Sequence, residues 1–254
     1  MPELPEVETV VRTLELLIPD RRIEHVEVRV PKMIQMDAGE FCRRLEGQHF
    51  RQFSRRGKYL IFQMDDVYFI AHMRMEGKFY VQHPEEPLSK HIHVIFDLDD
   101  GTQLRYHDTR KFGTMELMEL NGDLRHFHEL GPEPFDDEFN PDYCRAFLKK
   151  RRVPIKQVLL DQSFVAGIGN IYANEICFAL RIDPRKRCDQ LTKAQITALP
   201  EVTRQILSLA IEAGGSSIRS YTSSLGVTGR FQLQIQVHGR EGEACPLCGG
   251  PIRK

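Results

Sequence analysis

The hydrophobic pattern of the chain changes its period near residue 130, and this change limits the fold more than any other feature. From residue 23 to about residue 120, apolar residues occur in short runs typical of β-strands, whereas after residue 140 they recur at helical spacing. Residues 130–134 read Leu-Gly-Pro-Glu-Pro and interrupt both patterns, as a linker does. We therefore expect an α+β chain with a β-rich first half and a helical second half.

The first half predicts a helix followed by antiparallel hairpins. Apolar residues at spacings of three and four form one stripe over residues 4–18, which is typical of an amphipathic helix. Asp65-Asp66 then separates two β-rich runs, and Asp99-Asp100-Gly101 separates two more, with a turn sequence that favours a hairpin. Several such hairpins predict an antiparallel sandwich or barrel.

The second half predicts four helices and a small tail. The helical segments are residues 141–150, 155–161, 171–180 and 193–213, and Gly214-Gly215 is expected to end the last of them. Residues 231–254 predict a β-ribbon that carries Cys245 and Cys248.

The distribution of charged residues along the chain says more about possible partners than the net charge does. The net charge is −1, which does not indicate a nucleic-acid partner, but residues 142–187 contain ten basic residues against four acidic ones. Such a run is either a solvated helical face or a surface for phosphate, and the pattern leaves both open. No apolar run is long enough for a membrane span, and no secretory signal is present. Scattered cysteines fit reduced thiols, so we expect a cytoplasmic protein.

An N-terminal Met-Pro-Glu sequence offers nucleophilic chemistry. Removal of Met1 would leave Pro2 with a secondary amine, and α-amino groups titrate near pH ~7.7–8.0, so a neutral fraction exists. Such an amine can attack an aldehydic carbon and form an iminium. Glu3 and Glu6 lie one helical turn apart near that amine and can move protons. A helix start with favourable acids explains the same residues.

Three turns carry further candidate residues. Lys58 stands at the entry to a strand, and Met75 is at a turn tip, where it either plugs a hairpin or wedges into stacked bases. Arg110 and Phe112 stand two residues apart in another turn, a pairing that suits filling a vacated base position. Residues 167–169 read Gly-Ile-Gly before a helix, and we expect the N–H groups there to bind a DNA phosphate.

The tail contains half of a zinc site. Cys245-x-x-Cys248-Gly supplies two thiols, whereas a structural zinc needs four ligands. A second Cys pair is expected about 15–20 residues further on, and only six residues follow Cys248. His238 stands at a spacing that matches no familiar zinc pattern.

Seven motifs, taken together, resemble one family of proteins. They are MPELPEVET at 1–9, RGKYL at 56–60, HMRMEG at 72–77, DTRKFG at 108–113, LGPEP at 130–134, GIGNIYA at 167–173 and GREGEAC at 239–245. Their order and spacing are similar to those of the bacterial formamidopyrimidine-DNA glycosylase (Fpg/MutM) family, from Met1 to the chain end. The resemblance implies a helix-capped antiparallel β-sandwich domain at 1–130, a linker at 131–139, a helix-two-turn-helix domain at 140–230 and a zinc-finger hairpin, here incomplete, at 231–254.

The resemblance also implies an activity and its catalytic residues. Members remove oxidised purines, namely 8-oxoguanine and formamidopyrimidines, from double-stranded DNA in base-excision repair and then cleave the abasic strand. In that family pattern Pro2 is the nucleophile on the sugar C1′, and Glu3 is the general acid/base that opens the deoxyribose. Glu6 supports the pocket, and Lys58 holds phosphate and donates a proton during β-elimination.

The remaining implied roles concern DNA and zinc. Residues expected to contact the backbone or fill the gap of the flipped base are His91, Arg151, Asn170, Met75, Arg110 and Phe112, with Arg110 facing the orphaned cytosine. A loop over residues 216–231 is expected to close over the lesion with Ser217, Ile218, Arg219 and Tyr221. Cys245 and Cys248 would bind one structural Zn²⁺ per chain, but the family's second Cys pair and its finger arginine are missing.

Several interpretations stay open beside this one. The missing Cys pair indicates either a sequence that stops before the natural C-terminus, which we favour, or a truncated form, and in both cases we expect the zinc site to be incomplete within this chain. An endonuclease VIII-like enzyme for oxidised pyrimidines is the nearest alternative, and a non-catalytic DNA-binding relative is another. The expected partner is DNA with an oxidised purine opposite cytosine, bound by a monomer at the bacterial nucleoid, with no membrane involved.

Overall fold

The structure is a computed structural model that describes residues 1–125, 127–215, 231 and 234–253. These residues divide into two compact units. The N-terminal unit comprises residues 1–2 and 6–123, and the C-terminal unit comprises residues 3–5 together with the described residues from 124 onward. Residues 3–5 therefore belong with the C-terminal unit although they stand at the start of the chain.

Two four-stranded antiparallel sheets form the N-terminal unit, in the orders β1-β6-β7-β5 and β2-β3-β4-β8. The strands are β1 Ile23–Val28, β2 Gln52–Arg56, β3 Tyr59–Gln63, β4 Val67–His72, β5 Lys78–Gln82, β6 Ile92–Leu98, β7 Gln103–His107 and β8 Thr114–Glu119. Both predicted hairpins are confirmed, because β3 pairs with β4 and β6 pairs with β7. Gly101 has a φ of 81° in the second hairpin, which explains the glycine there.

The two sheets share one hydrophobic core. Phe62 and Phe79 come from different sheets, and their ring centroids lie 6.0 Å apart. Phe69 and Phe96 make a second contact between the sheets, at 5.3 Å. Since alternate residues of a strand point to opposite faces, each sheet presents its apolar side chains to the other. The predicted sandwich is therefore confirmed.

Two helices add apolar side chains to this core. Helix α1, Leu4–Leu17, follows the predicted stripe, and Val7, Leu14 and neighbouring residues of its apolar face are buried. Helix α2, Ala38–Leu45, lies inside the region for which we predicted only β-structure, so that part of the prediction is wrong. Asp37 caps α2 by accepting the Glu40 N–H at 2.8 Å, and the helix buries Phe41 and Leu45.

The C-terminal unit contains the four predicted helices. They are α3 Pro141–Leu148, α4 Ile155–Leu160, α5 Asn170–Ala179 and α6 Lys193–Glu212. Asn140 caps α3, and Thr192 with Gln195 forms a capping box at α6. Gly214 and Gly215 have φ of 75° and 78°, as expected of the glycines that follow a helix.

The described part of the tail is made of turns. Its β-pairing is one isolated bridge between Ala244 and Pro251, so the predicted ribbon is much shorter than expected. Gly239, Gly242 and Gly249 all have positive φ in this segment, which bends the backbone at each point. No helix of the described residues has the length and apolar character that crossing a membrane requires.

Candidate functional site

The carboxylate of Glu3 lies at the N-terminus of α5. It accepts the N–H of Gly169 at 2.7 Å, of Ile171 at 2.9 Å and of Tyr172 at 3.4 Å. These are three of the donors that a helix start leaves without a partner, and the positive end of the helix dipole favours the negative charge. Gly169 offers no capping side chain of its own. Glu3, from the other end of the sequence, therefore caps this helix and is 3% exposed.

Two glycines permit this approach. A Cβ atom on Gly169 would overlap the Glu3 carboxylate, and one on Gly167 would overlap the Leu4 side chain. The Leu4 N–H donates to the Gly167 carbonyl at 3.0 Å, which holds the chain start against the loop. Gln162 supports the loop from within, because its side-chain oxygen accepts the Gly167 N–H at 2.9 Å.

This geometry corrects one prediction. We expected the N–H groups at the start of α5 to bind a DNA phosphate, but the Glu3 carboxylate accepts three of them. The correction has a simple cause: the anion is supplied by the chain itself, from 166 residues away, and no local pattern reveals it. Asn170 presents an exposed side chain at the same point, and its contact with DNA stays a prediction.

The other predicted catalytic residues are buried in the N-terminal unit. Pro2 is buried, Glu6 is 3% exposed and Lys58 is 7% exposed. Lysine and glutamate are seldom buried to this degree unless partners or function hold them there. Lys58 stands between β2 and β3, directly after Gly57, whose φ is 56°.

Met75, Arg110 and Phe112 occupy the tips of two turns in the N-terminal unit. Met75 is 39% exposed and Phe112 is 52% exposed, which is unusual for large apolar side chains. The Arg110 guanidinium lies over the Phe112 ring at 4.7 Å from its centroid. These are the residues predicted to fill the gap of a flipped base, and they present apolar and cationic surface to solvent.

Asp108 shapes the second of these turns, and sequence reasoning missed its role. It is fully buried, and its carboxylate accepts the N–H groups of Arg110 at 2.9 Å, Phe112 at 3.0 Å and Gly113 at 2.9 Å. The sequence offers one signal for this role, an aspartate directly before a turn that ends in Gly113. Asp side chains often accept N–H groups from the backbone of the turn that follows them.

His91 belongs to a group of three histidines. Its ring lies 5.6 Å from that of His107, and the His93 Nε2 lies 2.8 Å from the Asp108 carbonyl. Burial is the main cause that lowers the pKa of His93 and that of His107. His91 itself is only half-buried, and its contact with a DNA phosphate stays a prediction.

Local acids partly neutralise the basic run of the C-terminal unit. Arg185 pairs with Asp183 at 2.8 Å, and Arg187 pairs with Asp189 at 2.5 Å. Arg151 is exposed, lies over the Phe147 ring at 4.0 Å, and approaches Asp161 at 4.0 Å. Stacking on Phe147 restricts the Arg151 guanidinium, which suits a phosphate contact that remains predicted.

The tail is attached to α5 through Glu175. This carboxylate is 4% exposed and accepts the N–H groups of Gln236 at 2.8 Å, Val237 at 3.0 Å and His238 at 2.9 Å. The Asn174 side-chain nitrogen lies 2.8 Å from the His238 Nδ1. His238 is therefore engaged by α5.

Cys245 and Cys248 lie in a tight turn that fits half of a zinc site. The Cys245 N–H donates to the Gly250 carbonyl at 2.7 Å, and the Gly249 N–H donates to the Cys245 carbonyl at 2.9 Å. Backbone N–H groups of Cys248 and Leu247 lower the pKa of the Cys245 thiol, which favours a metal-binding thiolate. Within the described residues, no cluster of three or more His, Cys, Asp or Glu side chains is arranged to hold a metal. The turn thus supplies two of the four ligands that zinc requires.

Ser217, Ile218, Arg219 and Tyr221, predicted to recognise the lesion, lie outside the described residues.

Comparison with known families agrees with this geometry. Residues 1–115 match the model of the formamidopyrimidine-DNA glycosylase N-terminal domain, and residues 130–222 match that of the formamidopyrimidine-DNA glycosylase H2TH domain. The chain belongs to the formamidopyrimidine-DNA glycosylase family. The resemblance found in the sequence is thereby confirmed, together with the α+β fold.

Individual members of the glycosylase family are similar over the whole chain. The formamidopyrimidine-DNA glycosylase of Bacillus licheniformis is 48% identical over 258 residues, covering 100% of this chain and 94% of its own length. That of Bacillus subtilis is 46% identical, with the same coverage. A Lactococcus lactis Fpg in complex with DNA containing an abasic site has a TM-score of 0.94 and 42% identity, covering 99% of this chain and 93% of that one. The wild-type Lactococcus lactis enzyme with DNA containing N7-benzyl-Fapy-dG gives the same score and identity, with coverages of 100% and 94%.

Proposed function

We propose that this chain is a DNA glycosylase and abasic-site lyase of base-excision repair that removes oxidised purines from double-stranded DNA. The observation that supports it most is the buried Glu3 carboxylate, which follows Pro2 in the sequence and accepts three N–H groups at the start of α5. A carboxylate kept in one orientation next to an amine suits proton transfer during imine chemistry. Family membership over the whole chain supports the same activity.

The reaction starts from Pro2 after removal of Met1. The neutral secondary amine attacks C1′ of the damaged nucleotide, and the bond from C1′ to the base breaks as the new N–C1′ bond forms. The electron pair of the broken bond leaves with the base, which takes up a proton. The Pro2 nitrogen, now bonded to C1′, loses its proton and regains a lone pair. Glu3 donates a proton to the ring oxygen, the bond from C1′ to that oxygen breaks with its electron pair on the oxygen, and the nitrogen lone pair forms the iminium at C1′ as the sugar opens.

Strand cleavage follows from the iminium. Loss of a proton from C2′ and departure of the 3′ phosphate constitute the β-elimination, and Lys58 supports it as a proton donor near that phosphate. Water then hydrolyses the iminium and restores the Pro2 amine. Glu6 supports the pocket in which these steps occur.

Recognition requires the damaged nucleotide to leave the base stack, at a cost of a few kcal/mol. Met75, Arg110 and Phe112 offset this cost by filling the gap, with Arg110 facing the orphaned cytosine. His91, Arg151 and Asn170 bind the backbone, and Ser217, Ile218, Arg219 and Tyr221 close over the extruded base. The protein acts as a monomer in the bacterial cytoplasm, at the nucleoid. A structural Zn²⁺ bound in part by Cys245 and Cys248 would order the tail.

Borohydride trapping tests this proposal. Wild-type protein is incubated with borohydride and a duplex containing 8-oxoguanine opposite cytosine, beside a duplex containing thymine glycol. We expect a covalent adduct with the first duplex and much less with the second. Pro2→Gly and Glu3→Gln should reduce the adduct strongly, while Glu15→Gln, at an exposed position of helix α1, should leave it unchanged.

Two results would contradict the proposal. Strong preference for thymine glycol would favour an endonuclease VIII-like enzyme. Tight binding to abasic DNA with no adduct would favour a non-catalytic relative.

A further inference from the structure

Two turns lie side by side at one end of the β-sandwich. The first turn, residues 73–77, leads from β4 to β5, and the second, residues 108–113, leads from β7 to β8. The first residue of β5 pairs with the last residue of β7, Lys78 with His107. The last residue of β4 likewise pairs with the first residue of β8. Because both ends of one turn are paired with both ends of the other, the turns are neighbours by topology.

Tyr106 of β7 lies beneath both turns. Its side chain is 1% exposed, and a Cβ atom on either Gly77 or Gly113 would overlap its hydroxyl oxygen. Only glycine allows the two backbones to approach the hydroxyl this closely. Burial raises the pKa of Tyr106, so the hydroxyl stays neutral and acts as a common support for the turns.

Asp108 determines the shape of the second turn. Three N–H groups of the turn converge on its buried carboxylate, from Arg110, Phe112 and Gly113. The turn also contains Lys111 with a φ of 57°, a left-handed conformation that a side chain rarely adopts without such constraints. The directions of Arg110 and Phe112 therefore depend on a buried group that does not reach the surface.

Thr109 connects the second turn to the first. Its hydroxyl donates a hydrogen bond to the Glu76 carboxylate, which stands next to Met75. The bond spans 33 residues of sequence and connects the two tips directly. Met75 on one turn is in this way connected with Arg110 and Phe112 on the other.

We propose that Asp108 and Thr109 are positioning residues that make Met75, Arg110 and Phe112 enter the duplex as one rigid unit, and that they thereby control discrimination of the base opposite the lesion. This inference rests on the proposed function. Three side chains that share one gap must keep their spacing, and misplacement by about 1 Å costs as much as 10²-fold in rate. Arg110 can distinguish cytosine from adenine only when its direction is fixed.

A matched pair of variants tests the role of the Thr109 hydroxyl. Thr109→Val keeps the shape and removes the donor, whereas Thr109→Ser keeps the donor. Single-turnover kinetics are measured for excision of 8-oxoguanine opposite cytosine and opposite adenine. We expect Thr109→Val to lower the ratio of the single-turnover excision rate opposite cytosine to that opposite adenine by about 5- to 10-fold, and Thr109→Ser to stay within about twofold of wild type.

Two further measurements separate positioning from loss of fold or of chemistry. Borohydride trapping on a single-stranded abasic oligonucleotide needs no gap filling, so Thr109→Val should match wild type there within about twofold. Asp108→Asn keeps one of the two side-chain oxygens that accept the N–H groups of the turn. We expect this variant to lose more of the preference for cytosine than Thr109→Val does, and to retain trapping of the single strand.

Each outcome bears on the proposal. It is overturned if Thr109→Val keeps the wild-type preference, if Thr109→Ser loses as much as Thr109→Val, or if trapping of the single strand falls in parallel with duplex excision. Wild-type protein that traps no abasic DNA and excises no 8-oxoguanine would contradict the proposed function itself, and this inference with it.

Discussion

Two regions of this protein hold a buried carboxylate in the same way, the start of α5 and the turn at residues 108–113. In each, three backbone N–H groups point at one acid, Glu3 in the first region and Asp108 in the second. Asp108 lies within five residues of its donors, whereas Glu3 lies at least 166 residues from its own. A local acid closes its own turn, but a distant one has to be brought there by the fold.

The comparison shows that the same hydrogen-bonding pattern can have two different roles. Asp108 is enclosed by the turn and shapes what the turn presents to solvent. Glu3 caps a helix and is also the proposed general acid/base, next to Pro2 in the sequence. We therefore expect substitutions at the start of α5 to affect catalysis first, and substitutions under the turn to affect stability and recognition first.

The largest effect is expected for Glu3→Gln. Glutamine has nearly the same size, but it cannot exchange a proton and it turns one acceptor into a donor that faces N–H groups. General acid/base catalysis contributes about 10²–10⁴-fold, so excision of 8-oxoguanine should fall by at least about 100-fold. Single-turnover kinetics with Glu15→Gln as the control measure this loss. Activity within a few-fold of wild type would remove Glu3 from the chemistry.

Gly169→Ala should have the next largest effect on catalysis. The added Cβ would overlap the Glu3 carboxylate and displace it from α5. We expect excision to fall by about 10- to 100-fold, since the carboxylate stays in the protein but loses its position. Gly39→Ala is the control, because a Cβ there meets its nearest atom, the Asp37 Oδ1, at 3.3 Å within helix α2. Equal activity of the two variants would show that the helix start does not orient Glu3.

Asp108→Asn should have its main effect on stability rather than on the chemical step. Asparagine leaves at least one buried N–H without an acceptor, which costs about 1–3 kcal/mol in the free energy of unfolding. Denaturant titration of the variant and of wild type gives the change in the free energy of unfolding. Asp99→Asn, at an exposed position of the β6–β7 hairpin, is the control. An unchanged free energy of unfolding for Asp108→Asn would mean that its three hydrogen bonds do not support the turn.

The smallest effect is expected for Glu175→Gln, which extends the comparison to a third carboxylate. Glu175 accepts three N–H groups from residues 236–238, so its loss should release the tail from α5 without changing the rest of the fold. If the substitution lowers the free energy of attachment of the tail to α5 by about 1 kcal/mol, limited proteolysis should cleave the tail roughly fivefold faster than in wild type. Glu201→Gln, at an exposed position of α6, serves as the control. Identical cleavage rates would assign the attachment of the tail to other contacts.

Much of the fold follows from local patterns in the sequence. The stripe of α1, the Asp-Gly turn of the β6–β7 hairpin and the glycines after α6 each express a preference of a few residues, and each is present in the structure. Helix α2 was missed because its cap at Asp37 stands inside a region of β-like composition. The local signal of the helix cap is hidden there by the β-like pattern of the residues around it.

The candidate site was predictable in its residue types but not in its connections. Motifs indicated Glu3 and Lys58 as candidates for chemical steps, and Met75 and Arg110 as candidates for filling the gap of a flipped base. The occupant of the α5 start, however, depends on a contact across 166 residues, and no spacing encodes it. Asp108 and Glu175 were overlooked for a related reason: their partners are backbone N–H groups, which every residue except proline provides.

The role of Pro2 as nucleophile is tested most directly by finding which atom of the protein carries the DNA after reduction. Trapped adduct from the 8-oxoguanine duplex is digested with nuclease and protease, and the modified peptide is sequenced by mass spectrometry. We predict a peptide that begins at Pro2, without Met1, and carries the reduced sugar on its N-terminal nitrogen. A sugar on Lys58 or on another lysine, with Pro2 unmodified, would contradict it.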